Sequence, residues 1–200
     1  MWRIYLFFSK LARRIYAIYV NFYCHNMLKN VVVGKGDRFI GKPVIKIHPS
    51  AKVSIGDKFV CRSSPLYTSG NFCCSKIDVR QSAILKIGNQ VGITDSVIMC
   101  HKKVVIGNYV NVGNGTIIMD TNFHSLDWRI RENRSLDVIN AKRAPIDIGD
   151  YVFIGARSII CKGVSIGEKT IIAAGSVVVN DIPSGVIAGG NPCRVIKTIV

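Results

Sequence analysis

Acidic residues are scarce in this chain. Among its 200 residues, 12 Asp and Glu stand against 27 Lys and Arg, a formal net charge of +15, and residues 1–36 hold no acidic side chain at all. Arg3, Lys10, Arg13, Arg14, Lys29 and Lys35 therefore have no local counter-charge and are left to solvent or an anionic partner. Long apolar runs are also missing. Lys10, Arg13 and Arg14 fall in the middle of the most apolar segment, which excludes a spanning helix, since that needs about 20 mostly apolar residues. It equally excludes a cleaved signal, whose charges would precede an unbroken apolar stretch. Cysteine is plentiful at seven, but zinc-site spacing is absent: Cys73 and Cys74 are adjacent, and Cys24, Cys61, Cys100, Cys161 and Cys193 are scattered. An odd, scattered set of thiols fits a reducing, cytoplasmic compartment. The glycosylation-like Asn114-Gly115-Thr116 and Asn133-Arg134-Ser135 are then coincidental. No nucleic-acid module accompanies the basic residues, which share their surface with much hydrophobe, so nucleic acid is not expected as a partner.

What the chain does have is a period. From Ile148 to Val178 an aliphatic residue returns at every sixth position: Ile148, Ile154, Ile160, Ile166, Ile172 and Val178. Four positions after each of the first five stands a small or β-branched residue (Val152, Ser158, Val164, Thr170, Ser176), and Gly149, Gly155 and Gly167 follow three of the six. A helix returns at about 3.6 residues and a half-buried strand alternates at two, so neither carries this spacing. Each hexad instead supplies one short strand and one turn of a parallel β-helix, aliphatic residue inward, small residue at the corner. Upstream, Ile106, Val112 and Ile118 keep the step, as do Ile87 and Ile93. The seven residues from Met99 to Ile106 predict one turn with an extra residue. Ile47 with Ala51, and Ile55 with Gly56 and Phe59, read as weaker first coils, so residues from about 47 to 178 predict about six coils. The organisation expected is an amphipathic basic helix over 1–30, a β-helix domain over 31–185, and a C-terminal tail over 186–200.

The N-terminal helix is predicted by Ile4, Phe8, Leu11, Ile15, Ile18 and Phe22, which form one stripe at helical spacing. Tyr5, Tyr16, Tyr19 and Tyr23 extend it on one side, and Arg3, Lys10, Arg13 and Arg14 occupy the remaining arc. Such a helix suits a membrane interface, with its basic edge attracted to anionic lipid. It equally suits a cap on the open end of the solenoid or packing against a neighbouring subunit.

The repeat stops once. After Ile118 regular hexads resume only near Ile146, and the loop between, about 123–145, carries Arg129, Arg131, Glu132, Arg134, Lys142 and Arg143. A loop longer than about 12–15 residues in a compact fold is usually functional or disordered. This one opens with His124.

These hexads, the loop opening at His124, and the closing sequence Gly175 to Pro183 followed by Gly190-Asn191-Pro192-Cys193-Arg194-Val195-Ile196-Lys197 resemble hexapeptide-repeat acyltransferases. The likeness covers about residues 47–200 and points to the maltose, galactoside and polysaccharide O-acetyltransferase group. It implies a left-handed parallel β-helix, an all-β fold, assembled as a homotrimer with acetyl-CoA in the groove between subunits and no metal. It implies that His124 is the general base, since histidine, with an unperturbed pKa near 6.5, suits removal of a hydroxyl proton. Asp120 is the expected orienting partner of that ring, with Asp127 as the alternative. For the acceptor, the group's asparagine one coil earlier is absent, and Asp95 and Ser96 are the nearest candidates. For the coenzyme, Gly113, Ala156 and Ala174 fall where the pantetheine arm runs, and Arg194 and Lys197 where basic residues meet the nucleotide end. Val179-Asn180 replaces the family's Thr-Lys, leaving Lys162 or Lys169 to supply the missing phosphate contact.

The expected reaction is acetyl transfer from acetyl-CoA to a sugar hydroxyl in envelope polysaccharide assembly on the cytoplasmic face. Asp127, Arg129 and Trp128 would meet the sugar, Arg for phosphate and Trp for the ring. Transfer to an amino sugar, serine or antibiotic, or a non-catalytic membrane-tethered scaffold, are the alternatives. The zinc-dependent carbonic anhydrases on this fold need three histidines around one metal. Here His101 and His124 are 23 apart with no third nearby, and His25 and His48 lie far upstream.

Overall fold

The computed structural model describes residues 2–29, 31–64 and 74–199, with the side chains of 2–10 and 13 left aside. The expected places of Arg3, Lys10, Arg13 and Tyr5 on the helix surface, and of Cys73, thus lie outside the described positions.

Short strands coil around three parallel sheets. Face 1 stacks Val32–Val33, Lys52–Ile55, Ile84–Ile87, Lys103–Ile106, Ile146–Ile148 and Ser165–Ile166. Face 2 stacks Arg38–Ile40, Val60–Arg62, Gly92–Thr94, Asn111–Val112, Phe153–Ile154, Ile171–Ile172 and Val186–Gly189, then closes with the antiparallel Arg194–Thr198. Face 3 stacks Val44–Ile47, Lys76–Val79, Val97–Cys100, Ile117–Met119, Ile159–Ile160 and Val177–Val178. The first corner joins faces 1 and 2, the second faces 2 and 3, and the third returns from face 3 to face 1 of the next coil. Six coils run from Val32 to Val178, so the first begins upstream of Ile47, where the hexads had faded.

The core is the ladder that the period predicted. Ile148, Ile154, Ile160, Ile166, Ile172 and Val178 are all at most 2% exposed, and each stacks on its counterpart one coil away: Ile106↔Ile148↔Ile166, Val112↔Ile154↔Ile172, Ile118↔Ile160↔Val178. The fourth-offset residues are buried too, and their hydroxyls bond to carbonyls at the corners, as buried polar groups must: Ser158 Oγ donates to Gly155 O at 2.8 Å and Thr170 Oγ1 to Pro183 O at 2.7 Å. One step differs from the reading of the sequence. The inward residue after Ile93 is Ile98, 0% exposed and paired with Ile118, not Met99. The second corner of that coil is therefore one residue short, and the third is longer.

The helix α1 (Trp2–Met27) caps the open end of the first coil with its C-terminal half. Val20, Cys24 and Leu28, just beyond its end, are at most 3% exposed within the core. Asn21 bonds both backbone groups of Phe39 at 3.3 Å, completing the unpaired edge of face 2.

The long interruption leaves face 3 after Met119 and rejoins face 1 at Ile146, at the third corner. Its ends pair with each other: Asn122 N donates to Lys142 O and Ala144 N to Asp120 O, both at 3.0 Å, with an antiparallel bridge between Thr121 and Arg143. On this stalk sit α2 (Trp128–Arg131) and α3 (Arg134–Ile139), capped at their N-termini by Asp127 and Asn133.

Candidate active site

His124 leaves the stalk just after Phe123, whose φ of +62° turns the chain outward. Its side chain is 67% exposed, and its Nδ1 lies 2.6 Å from Asp137 Oδ2. Asp137 comes from α3, and its carboxylate is 8% exposed. The other carboxylate oxygen, Oδ1, accepts from Ser125 N at 2.6 Å. The His124 ring and then the Ser125 N–H hold the Asp137 carboxyl below the usual carboxylate range. An ionised carboxylate has only acceptors, so the hydrogen-bond network assigns the proton to Nδ1 of His124. Nε2 then carries the lone pair of a ring whose side chain is largely exposed. Arg131 reinforces the loop, its Nη1 donating to Ser125 O at 2.8 Å.

Asp120, the expected orienting partner, faces elsewhere. It is fully buried, and its carboxylate accepts from the backbone N–H groups of His101, Lys102 and Lys103 at 2.7, 2.6 and 2.8 Å. It closes the lengthened third corner of the coil above. Asp127 is likewise committed: besides capping α2, it holds Arg129 by two bonds of 3.0 and 2.9 Å. The carboxylate that meets the His124 ring is that of Asp137, 13 positions further on, a contact that no spacing in the sequence marks. The loop's arginines mostly serve the loop, Arg129 on Asp127 and Arg131 on Ser125. Trp128 is 64% exposed and stays open to a ligand.

The remaining candidates divide among the three corners. At the second corner Ala156 and Ala174 stack one above the other, Gly175 N donating to Ala156 O at 2.8 Å. Gly113 stands one register earlier, where a Cβ would lie 2.6 Å from Ala156 N and 2.9 Å from Ile154 O. Close stacking of coils alone thus requires that glycine. Asp95 and Ser96 occupy this corner two coils above Ala156. Both are fully buried: Asp95 accepts from Ser64 N at 3.2 Å and Asn114 Nδ2 at 3.0 Å, and Ser96 Oγ donates to Thr94 O and Gly113 O. Burial pushes the Asp95 carboxyl up. Neither residue faces solvent as an acceptor contact would, so both serve the tight corner at which Asp95 takes φ +43°.

Arg194 pairs with Gly189 beside the second corner, and Lys197 pairs with Ile187 farther along face 2. Both are exposed. Lys162 sits at the third corner beneath the stalk, and Lys169 at the first corner with Glu168 Oε1 3.4 Å away. Neither lysine shares the corner of Ala156 and Ala174. Burial pushes the Cys61 and Cys100 thiols up to about 12. Among the described residues, no cluster of His, Cys, Asp or Glu could hold a metal ion.

Residues 145–179 match the model of the hexapeptide repeat of succinyl-transferase. The galactoside O-acetyltransferase of Escherichia coli (strain K12) is 38% identical over 96 residues, 48% of this chain and 44% of that protein. The chain spans 60% of the length of the putative acetyltransferase YvoF of Bacillus subtilis (strain 168) and 28% of that of the putative acetyltransferase YJL218W of Saccharomyces cerevisiae, so it covers only part of these curated relatives. Among solved structures, a maltose O-acetyltransferase from Clostridium difficile 630 superposes with a TM-score of 0.57 at 26% identity, covering 87% of this chain and 73% of that one. A hexapeptide-repeat acetyltransferase from Vibrio cholerae, solved with acetyl coenzyme A, superposes with a TM-score of 0.53 at 25% identity, covering 82% and 72%. The coils and these matches give the chain a left-handed parallel β-helix fold, and its hexapeptide repeats are similar to those of the maltose and galactoside O-acetyltransferases.

Proposed function

We propose that the chain is an acetyl-CoA-dependent O-acetyltransferase acting on a sugar hydroxyl, with His124 as general base. The observation that carries this reading is the His124–Asp137 pair, in which the carboxylate fixes the tautomer and leaves the Nε2 lone pair to take a proton. As the acceptor oxygen attacks the thioester carbonyl, its proton passes to Nε2 of His124. The C–S bond then breaks, and the departing coenzyme A thiolate takes that proton, restoring the base. Asp137 stays ionised throughout and stabilises the imidazolium formed midway.

A complete site needs more than one chain. His124 rises from the third corner, whereas the small residues Ala156 and Ala174 and the cation of Arg194 lie at or beside the second, with face 3 between them. A neighbour that brings its second corner against this chain's third supplies a groove with both, which supports a homotrimer. The pantetheine arm runs along Ala156 and Ala174 in that groove, where no bulky side chain intrudes, and Arg194 and Lys197 meet the phosphates. Exposed Trp128 suits stacking on a sugar ring, and the basic α1 favours an acceptor of envelope polysaccharide assembly at the cytoplasmic face.

The test is acetyl-CoA turnover, corrected for hydrolysis, over free sugars, nucleotide sugars and lipid-linked sugars. Acetyl transfer to a sugar hydroxyl is expected, falling about 10²- to 10⁴-fold in His124→Ala. Transfer only to an amine would move the chain to N-acetylation, activity surviving His124→Ala would remove the base, and failure to bind acetyl-CoA would leave a scaffold.

A further inference from the structure

The helix α1 is docked by the face that its apolar stripe does not occupy. The solenoid buries Val20, Cys24 and Leu28 to at most 3% exposure, with Asn21 bonded to Phe39, His25 paired with Asp37, and Tyr19 and Tyr23 against Lys42 on the flanks. Leu11, Ile15, Ile18 and Phe22 are 43%, 59%, 71% and 69% exposed. At about 100° per residue, these four lie across the helix axis from the docked three. A helix that served only as a lid would turn its apolar stripe to the core and its polar side to water. Here the solenoid is satisfied by one side, and a second apolar side points away from it.

The charge around this stripe selects what covers it. Residues 1–50 contain nine Lys and Arg and one acidic residue, Asp37. Asp37 is 10% exposed and paired with His25 Nε2 at 3.2 Å. Arg14, Lys29, Lys35, Arg38, Lys42 and Lys46 are all exposed at this end of the molecule. A second copy would bring the same cations against them, and like charges facing one another oppose that contact. An anionic lipid surface answers both features, since it takes the apolar stripe among its acyl chains and the cations among its headgroups. No described helix is long and apolar enough to cross a membrane, so α1 lies in the interface plane.

We propose that α1 docks the protein onto anionic membranes through Leu11, Ile15, Ile18 and Phe22, with the cationic N-terminal end of the solenoid facing the headgroups. This inference stands on the helix alone and does not depend on the reaction proposed above.

The test is flotation of the full-length chain with phosphatidylcholine vesicles that do or do not contain phosphatidylglycerol. Binding is expected only with phosphatidylglycerol and weakens as salt rises. Ile18→Asp combined with Phe22→Asp lowers binding ~10-fold or more, and Arg14→Ala lowers it about five-fold. The melting temperature of each variant stays at the wild-type value, because all three side chains are exposed. Wild-type protein that does not float with the anionic vesicles would overturn the proposal, as would a double variant that still floats like wild type. A double variant whose mass by light scattering falls without vesicles present would assign the stripe to a contact between copies instead.

Discussion

At the scale of single residues, the pairing of His124 with Asp137 is where chemistry and folding meet. The carboxylate both aims the ring and anchors the loop through Ser125 N. Because its pKa in the fold is depressed, the stability it contributes is present above the unfolded carboxylate value near 4. That contribution is lost as pH falls below this value, when the unfolded form takes up its proton first. Protection of the Ser125 amide against hydrogen exchange, relative to the unfolded chain, should therefore hold from neutrality through the usual carboxylate range and fall only in stronger acid. In Asp137→Ala, which removes both acceptor oxygens, the amide should lose its protection at every pH, and kcat should fall about 10²-fold or more with little change in KM for acetyl-CoA. A wild-type kcat in that variant would remove Asp137 from the mechanism. His124 stands out in the sequence because it opens a long break in the repeat; a second break, between Arg62 and Lys76, is not marked by the hexads. Asp137 does not stand out, since its approach depends on how α2 and α3 fold back over 13 intervening residues, and no spacing in the chain encodes that turn.

Among the elements, the corners show how an apparent catalytic residue can be a structural one. Asp120 sits at the last regular hexad before the break, close in sequence to His124, yet its carboxylate is consumed by three backbone N–H groups of the neighbouring coil. Asp120→Ala would strand those three donors, at a cost of about 3 kcal/mol or more. The expected outcome is a clearly lowered melting temperature with kcat, measured below that temperature, within about two-fold of wild type. The opposite pattern, an unchanged melting temperature and a collapsed kcat, would return Asp120 to the active site. The coils after Ile148 match the reading because each strand from Phe153–Ile154 to Val177–Val178 holds one inward residue and each corner a small or β-branched one. Upstream, strands such as Ile84–Ile87 and Lys103–Ile106 put two residues inward, which blurs a six-step count. The slip between Met99 and Ile98 has this origin: two adjacent aliphatic residues alternate across the strand, and only stacking on Ile118 decides which one faces in.

For the whole molecule, the separation of His124 from the Ala156–Ala174 corner makes oligomeric state the test of the proposed shared groove. Light scattering is expected to give three times the 22.0 kDa chain mass, and a monomer with full activity would contradict the shared groove. The sequence by itself determined the solenoid. Its six-residue period is a local rule, repeated coil after coil, in which each aliphatic residue is buried by the next copy of the same pattern, and a local rule can be read from a local spacing. It also marked the break at His124 and the stripe on α1, both visible as departures from a period. Only the tertiary structure decided what those departures meet: that Asp137 rather than Asp120 holds the histidine, that Asp95 and Ser96 are buried within a tight corner, and that α1 packs by Val20, Cys24 and Leu28 while its stripe faces out. Each of these depends on contacts between segments far apart in the chain. Such contacts are set by how a loop closes and which face of a helix finds a complementary surface.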